Sequence, residues 1–347
     1  MNLTAPALPQ RALAHSFGIL GMLLLPLCAH AGRAYVSNED GQSVSVLDTA
    51  KSEVIATVNV GKRPRGLKLS RDGKRLYVAV SGLPKCPPSQ SDAECAKLKH
   101  DLTADGIAVI DTTTLKLTGL LKAGSDPEQF DLSKDGRRLF ISNEDSGTVS
   151  VLDVHSGDVV GSIPVGAEPE GVRVTPNGRQ IVVTSESANS ISIIDSSTLK
   201  LLRTVPVGKR PRDTGITPDS TTAYVSGEAD ASLYKASLVA EAPASRLMQF
   251  RPQDRPMGVV LDSRRHRVYV STGRGGTVAV VDLQGPKVVE EIAVGARPWG
   301  IALSHDGRTL YTANGSSNDV SVIDTNSLKV THKIKVGSSP WGVVLAP

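Results

Sequence analysis

Between residues 33 and 347, apolar and polar positions alternate in short runs, and Gly, Pro, Asp-Gly or Asn-Gly soon breaks each run. Gly66-Leu67-Lys68-Leu69 is one run; Leu76-Tyr77-Val78, Leu139-Phe140-Ile141 and Val268-Tyr269-Val270 are others. A period of two over a few residues predicts strands. Asp72-Gly73, Asp135-Gly136, Asn177-Gly178 and Asp306-Gly307 suit the positive φ of tight turns between them. A third run ends in Asp48, Asp111, Asp153, Asp195, Asp282 or Asp324, and a fourth follows, as in Ile55-Ala56-Thr57-Val58. Recurrence of that Asp argues for turn capping, since a catalytic acid is needed once.

The four runs form a repeat. A G-x-x-P-x-G frame recurs at Gly61/Pro64/Gly66, Gly166/Pro169/Gly171, Gly295/Pro298/Gly300 and Gly337/Pro340/Gly342. Degenerate copies are Gly124/Pro127/Gln129, Gly208/Pro211/Asp213 and Gln253/Pro256/Gly258. The seven prolines are spaced by 63, 42, 42, 45, 42 and 42 residues. The long first step carries an insertion at 82–105. Four short strands per period of about 40 residues predict an all-β, seven-bladed β-propeller. The N-terminal part supplies three strands (Tyr35–Asn38, Ser45–Asp48, Ile55–Val58), and Pro340–Leu345 supplies a lone first strand. Together they complete the seventh blade and remove exposed edges.

Composition agrees: 3% aromatic residues, 32 Gly and 21 Pro are strand-and-turn usage. A formal charge of +4 is too small and too dispersed for a typical polyanion binder. Arg11, the apolar run Phe17–Cys28 and Ala29-His30-Ala31 read as a signal peptide cleaved near Ala31. A lipoprotein cleavage at Cys28 fits less well, because Leu27 is bulky. Residues 1–31 are thus expected to be removed and 32–347 to form one exported propeller, a monomer with no membrane span. In an oxidising compartment Cys86 and Cys95 are expected to form a disulfide, with metal binding as the minor reading.

Tyr35-Val36-Ser37-Asn38, the Val-Ile-Asp strand ends and the G-x-x-P-x-G turns resemble YVTN-type β-propeller repeats over about residues 33–347. The exported seven-repeat form with its Cys-containing insertion is similar to the PQQ-dependent catabolism-associated β-propeller proteins. That resemblance implies a periplasmic setting beside quinoprotein dehydrogenases, c-type cytochromes and transport components of alcohol oxidation. It implies no mechanism.

The proline frames join the outer strand of one blade to the inner strand of the next, on the face that also carries the loops between second and third strands. This face, the top, holds the candidate site. Arg63 and Arg65 flank Pro64, Asp126 and Glu128 flank Pro127, and Glu168 and Glu170 flank Pro169. Arg210 and Arg212 flank Pro211; Arg255 and Arg297 precede Pro256 and Pro298; Trp299 and Trp341 follow Pro298 and Pro340. Glu39, Asp40, Glu144, Asp145, Glu186 and Glu228 join them from the second loops. These charges read either as solvated turns and ion pairs or as a mouth that binds a carboxylate or docks a charged partner, such as a quinoprotein dehydrogenase or cytochrome c.

No C-x-x-C-H, G-x-S-x-G or H-E-x-x-H motif occurs, so a non-catalytic role is expected, with neither PQQ nor haem indicated by a motif. His100, in the insertion, is the histidine placed to reach the mouth. Single-stranded nucleic acid stacking on the Trp pair is an alternative that the low aromatic content disfavours. A lactonase-like or tetrapyrrole-handling propeller is the other.

Overall fold

A computed structural model describes residues 1–3, 32–86, 91, 94 and 97–346. Residues 4–31, which hold the expected leader, and Cys95, the expected partner of Cys86, lie outside the described residues. The chain forms seven four-stranded antiparallel sheets, one per expected blade. Blade 1 runs from the axis outward as Pro340–Leu345, Arg33–Asn38, Ser43–Asp48 and Glu53–Asn59. Blades 2 to 7 start with the inner strands Leu67–Leu69, Pro127–Leu132, Pro169–Val174, Pro211–Ile216, Pro256–Asp262 and Pro298–Leu303. Each inner strand touches the next around a closed ring, and the C-terminal strand pairs with the N-terminal one through Ala34–Leu345 to Asn38–Pro340.

The alternation survives best in outer strands, where Glu53–Asn59 is exposed at every second residue. Second and third strands are buried on both faces, because blades stack face to face. An apolar layer fills each interface. Tyr35, Val44 and Val46 of blade 1 meet Leu76, Val78 and Ile110 of blade 2, and Tyr311, Val320 and Val322 of blade 7 close the ring against Ala34, Val36 and Leu47.

The turn chemistry follows the expectation. Gly73, Gly136, Gly178 and Gly307 have φ between 68° and 78°. Asp48, Asp111, Asp153, Asp195, Asp282 and Asp324 each accept backbone N–H groups two or three residues ahead, for example Asp111 from Thr113 and Thr114 at 2.9 and 2.7 Å.

Buried hydroxyls tie blade to blade. Ser37, Ser142, Thr184, Ser226 and Ser271 lie at one position of the second strands and are fully buried. Each donates to the carbonyl of the residue after the next blade's frame proline: Arg65, Glu170, Arg212, Met257 and Trp299, at 2.5 to 2.9 Å. Each also accepts an N–H from its own inner strand, as Thr184 does from Gly171 at 2.7 Å. The frame glycine makes room: a Cβ on Gly171 would lie 2.4 Å from the Arg212 carbonyl. Thr184→Val keeps the shape but strands two buried backbone groups. It is expected to destabilise the protein by about 1–3 kcal/mol in urea unfolding; an unchanged midpoint would remove the hydroxyl from the inter-blade contact.

Candidate functional site

The residue before each frame proline (Arg63, Asp126, Glu168, Arg210, Arg255, Arg297 or Ser339) has a φ between 42° and 56°, rare for side chains with a Cβ. In blades 3 to 5 its carbonyl accepts the N–H of Glu144, Glu186 or Glu228; in blade 1 it accepts that of Glu39. Blades 6 and 7 have Gly273 and Gly315 there. Blade 2 has Ser81 there, so the turn delivers a glutamate to the mouth from four blades and none from three. The residue after the proline gives a second ring: Arg65, Glu128, Glu170, Arg212, Met257, Trp299 and Trp341.

Most of the expected site residues meet here, around a cavity of about 550 Å³. Arg65, 2% exposed, binds Asp126, Glu128 and, at 3.6 Å, Glu144. Arg212 binds Glu170, Glu186 at 2.6 Å and Glu228 at 2.7 Å. Arg210 also pairs with Glu186, Arg63 with Glu39 at 3.1 Å, and Lys85 of the insertion with Glu39 at 3.0 Å. Four of the six expected arginine forks are thus filled by the protein's own carboxylates. Glu168 and Arg255 do not line the cavity, and Asp126 is buried behind Arg65.

Arg297 differs. It lines the cavity with no ion-pair partner among the described residues, because the local glutamate position is Gly315. Its guanidinium lies 5.2 Å from the Trp299 ring centroid, and that of Arg212 lies 5.7 Å from it. Trp299 stacks on Trp341 with centroids 5.7 Å apart.

Beneath the Trp pair the channel continues, lined by residues that proline-flanking charges alone do not point to. Of the residues four after successive prolines, Lys68, Arg173, Gly215, Val260, Ala302 and Val344 line it, and Asp131 does not. Lys68 pairs with Asp131 at 3.1 Å, and Arg173 with Asp213 at 2.9 Å. Asp213 occupies the frame-glycine position of blade 5, so its departure from the repeat was the signal. Met257 carries no charge, so nothing in the proline-flanking pattern marks it.

The carboxylates Asp126, Glu128 and Glu144 have oxygens within 4.8 Å of one another, a spacing open to a cation, but Arg65 already bonds all three. His100 faces Asp105 at 2.8 Å and Asp145 at 3.5 Å, beside rather than in the mouth.

Burial, with repulsion from Glu170 and Asp126, pushes Glu144 up to about 8; burial and Glu170 push Glu186 up to about 7. Burial raises Asp126 and Glu228, but Arg65, Ser81 and Arg63 together hold Asp126 below the usual range, and Arg212 with Arg210 and Arg255 does the same for Glu228. Carboxyls whose pKa rises on folding bind protons the unfolded chain has lost, so their contribution is full below about 4.5 and fades as pH rises through 7 to 8. The double variant Glu144→Gln, Glu186→Gln should flatten the fall in melting temperature between pH 5 and 8; an unaltered slope would contradict this. Arg65→Met leaves the buried carboxylates of Asp126 and Glu128 without their cation and should destabilise by about 3–5 kcal/mol at neutral pH, read by denaturant unfolding.

A family profile described as YNCE-like beta-propeller matches residues 97–220 and 253–346. Antigen Lp49 of Leptospira interrogans is 34% identical over 111 residues, 32% of this chain and 23% of that protein, so the chain spans about a quarter of this curated relative. The fold is shared with Kuenenia stuttgartiensis hydrazine synthase (TM-score 0.73, 20% identity, 85% of this chain and 92% of that one). It is shared too with a putative 6-phosphogluconolactonase of Bacteroides uniformis (0.72, 17%, 90% and 98%) and with dihydro-heme d1 dehydrogenase NirN in complex with DHE (0.61, 18%, 88% and 64%). The seven closed blades and a profile match over more than half the chain agree: the protein belongs to the YNCE-like β-propeller family.

Proposed function

We propose that the protein is a non-catalytic, periplasmic binding propeller whose mouth takes an anionic ligand in quinoprotein-linked alcohol oxidation. Arg297 carries the reading. Every other basic group lining the cavity is held by an internal carboxylate, whereas this guanidinium is open beside an indole pair. A free guanidinium fork matches a carboxylate, and the indoles offer an apolar face to the rest of the ligand. The mouth carboxylates around Arg65 and Arg212 are engaged in ion pairs, which favours binding over turnover. The setting rests on the leader-like N-terminus and the Cys86/Cys95 insertion, which resemble the PQQ-associated propellers. PQQ, a planar tricarboxylate, is the anion that this setting supplies.

Calorimetric titration with PQQ and with citrate tests the site. Saturable binding that weakens at least tenfold in Arg297→Gln, at unchanged melting temperature, is expected. No binding of either anion, or equal binding by the variant, would overturn the assignment. Salt-sensitive binding of a single-stranded oligonucleotide instead would transfer the Trp pair to a nucleic-acid role.

A further inference from the structure

Trp299 and Trp341 line two cavities at once: the mouth above them and the channel below, about 460 Å³ in volume. The channel wall is divided. Blades 2 to 5 form its polar side, where the charged groups are closed into the pairs Lys68–Asp131, Arg173–Asp213 and Arg212–Glu170, with Gln129 and Thr214 beside them. From blades 6, 7 and 1, every lining residue is apolar or glycine, with Met257, Val260, Ala302 and Val344 among them. The apolar arc begins at the Trp pair, on the sector where Arg297 is open. An open cation therefore stands at one end of a continuous apolar wall.

We infer that mouth and channel form one site for an amphiphilic monocarboxylate with an unbranched aliphatic chain. The carboxylate is held by Arg297, and the chain passes the indoles and lies along blades 6, 7 and 1. The inference rests on the anion-binding reading of the mouth and adds the ligand class. The volume lies within the roughly 300–1,000 Å³ of small-molecule sites. The facing ion pairs are satisfied by one another, so an alkyl chain leaves none of them without a partner.

Calorimetry with butanoate, hexanoate, octanoate and decanoate tests it. Affinity should rise about fourfold per methylene, equivalent to about 0.8 kcal/mol, until the channel is full. Arg297→Gln should weaken all four acids by a common factor. Ala302→Phe, which fills the channel, should abolish the chain-length dependence and keep the butanoate affinity; Val260→Phe serves if that variant does not fold, as judged by its melting temperature. Affinity independent of chain length, or a slope preserved in the channel-filled variants, would overturn the inference while leaving an anion-binding mouth intact. Failure of the alkanoates together with PQQ and citrate would remove the mouth reading and the inference with it.

Discussion

The structure depends on a buried hydroxyl at each of five blade interfaces. Ser37, Ser142, Thr184, Ser226 and Ser271 each bridge their own inner strand and the first carbonyl of the next. The apolar layers supply most of the burial, but such packing is non-directional and would tolerate sliding. The hydroxyl fixes the offset, because a buried carbonyl without a donor is costly. Blade 2 has Ala79 at this position, and there the Gly66 N–H reaches the Glu128 carbonyl directly at 3.1 Å. The carbonyl so held belongs to the residue whose side chain enters the mouth. The same contact that spaces the blades therefore aims the mouth ring.

That rigidity explains how the mouth tolerates its charges. Arg65 and Arg212 each gather carboxylates from more than one blade. Buried ion clusters add little net stability, yet losing one member is severe. They persist where the backbone already sets their separation. A uniform scaffold thus carries an uneven electrostatic ring: neutralised clusters centred on blades 2 to 5, and an arginine with two indoles on blades 7 and 1.

Much of this was legible in the sequence because backbone demands repeat. Prolines, Asp-Gly turns and capping aspartates recur at one period, and they located strands, faces and ring closure. Offset from the proline also pointed to most of the residues lining the mouth, since it fixes where a side chain leaves the turn, but not to the turning away of Glu168 and Arg255. What the linear chain did not disclose was pairing. Arg212 and Arg297 flank equivalent prolines, but their fates diverge because Glu186 and Glu228 stand where blades 6 and 7 carry Gly273 and Gly315. The channel beneath was hidden for a different reason: its polar half departs from the repeat at single positions such as Asp213, and its apolar half looks like ordinary strand.

The strand Pro340–Leu345 lies at the axis of a blade whose other strands come from the opposite end of the chain. Without this strand the channel has a missing stave, Trp341 is absent from the stack, and blade 1 has no inner strand. The contact that turns an open array into an annulus is thus one strand pairing of very high sequence separation, and the same pairing seats Trp341 in the mouth.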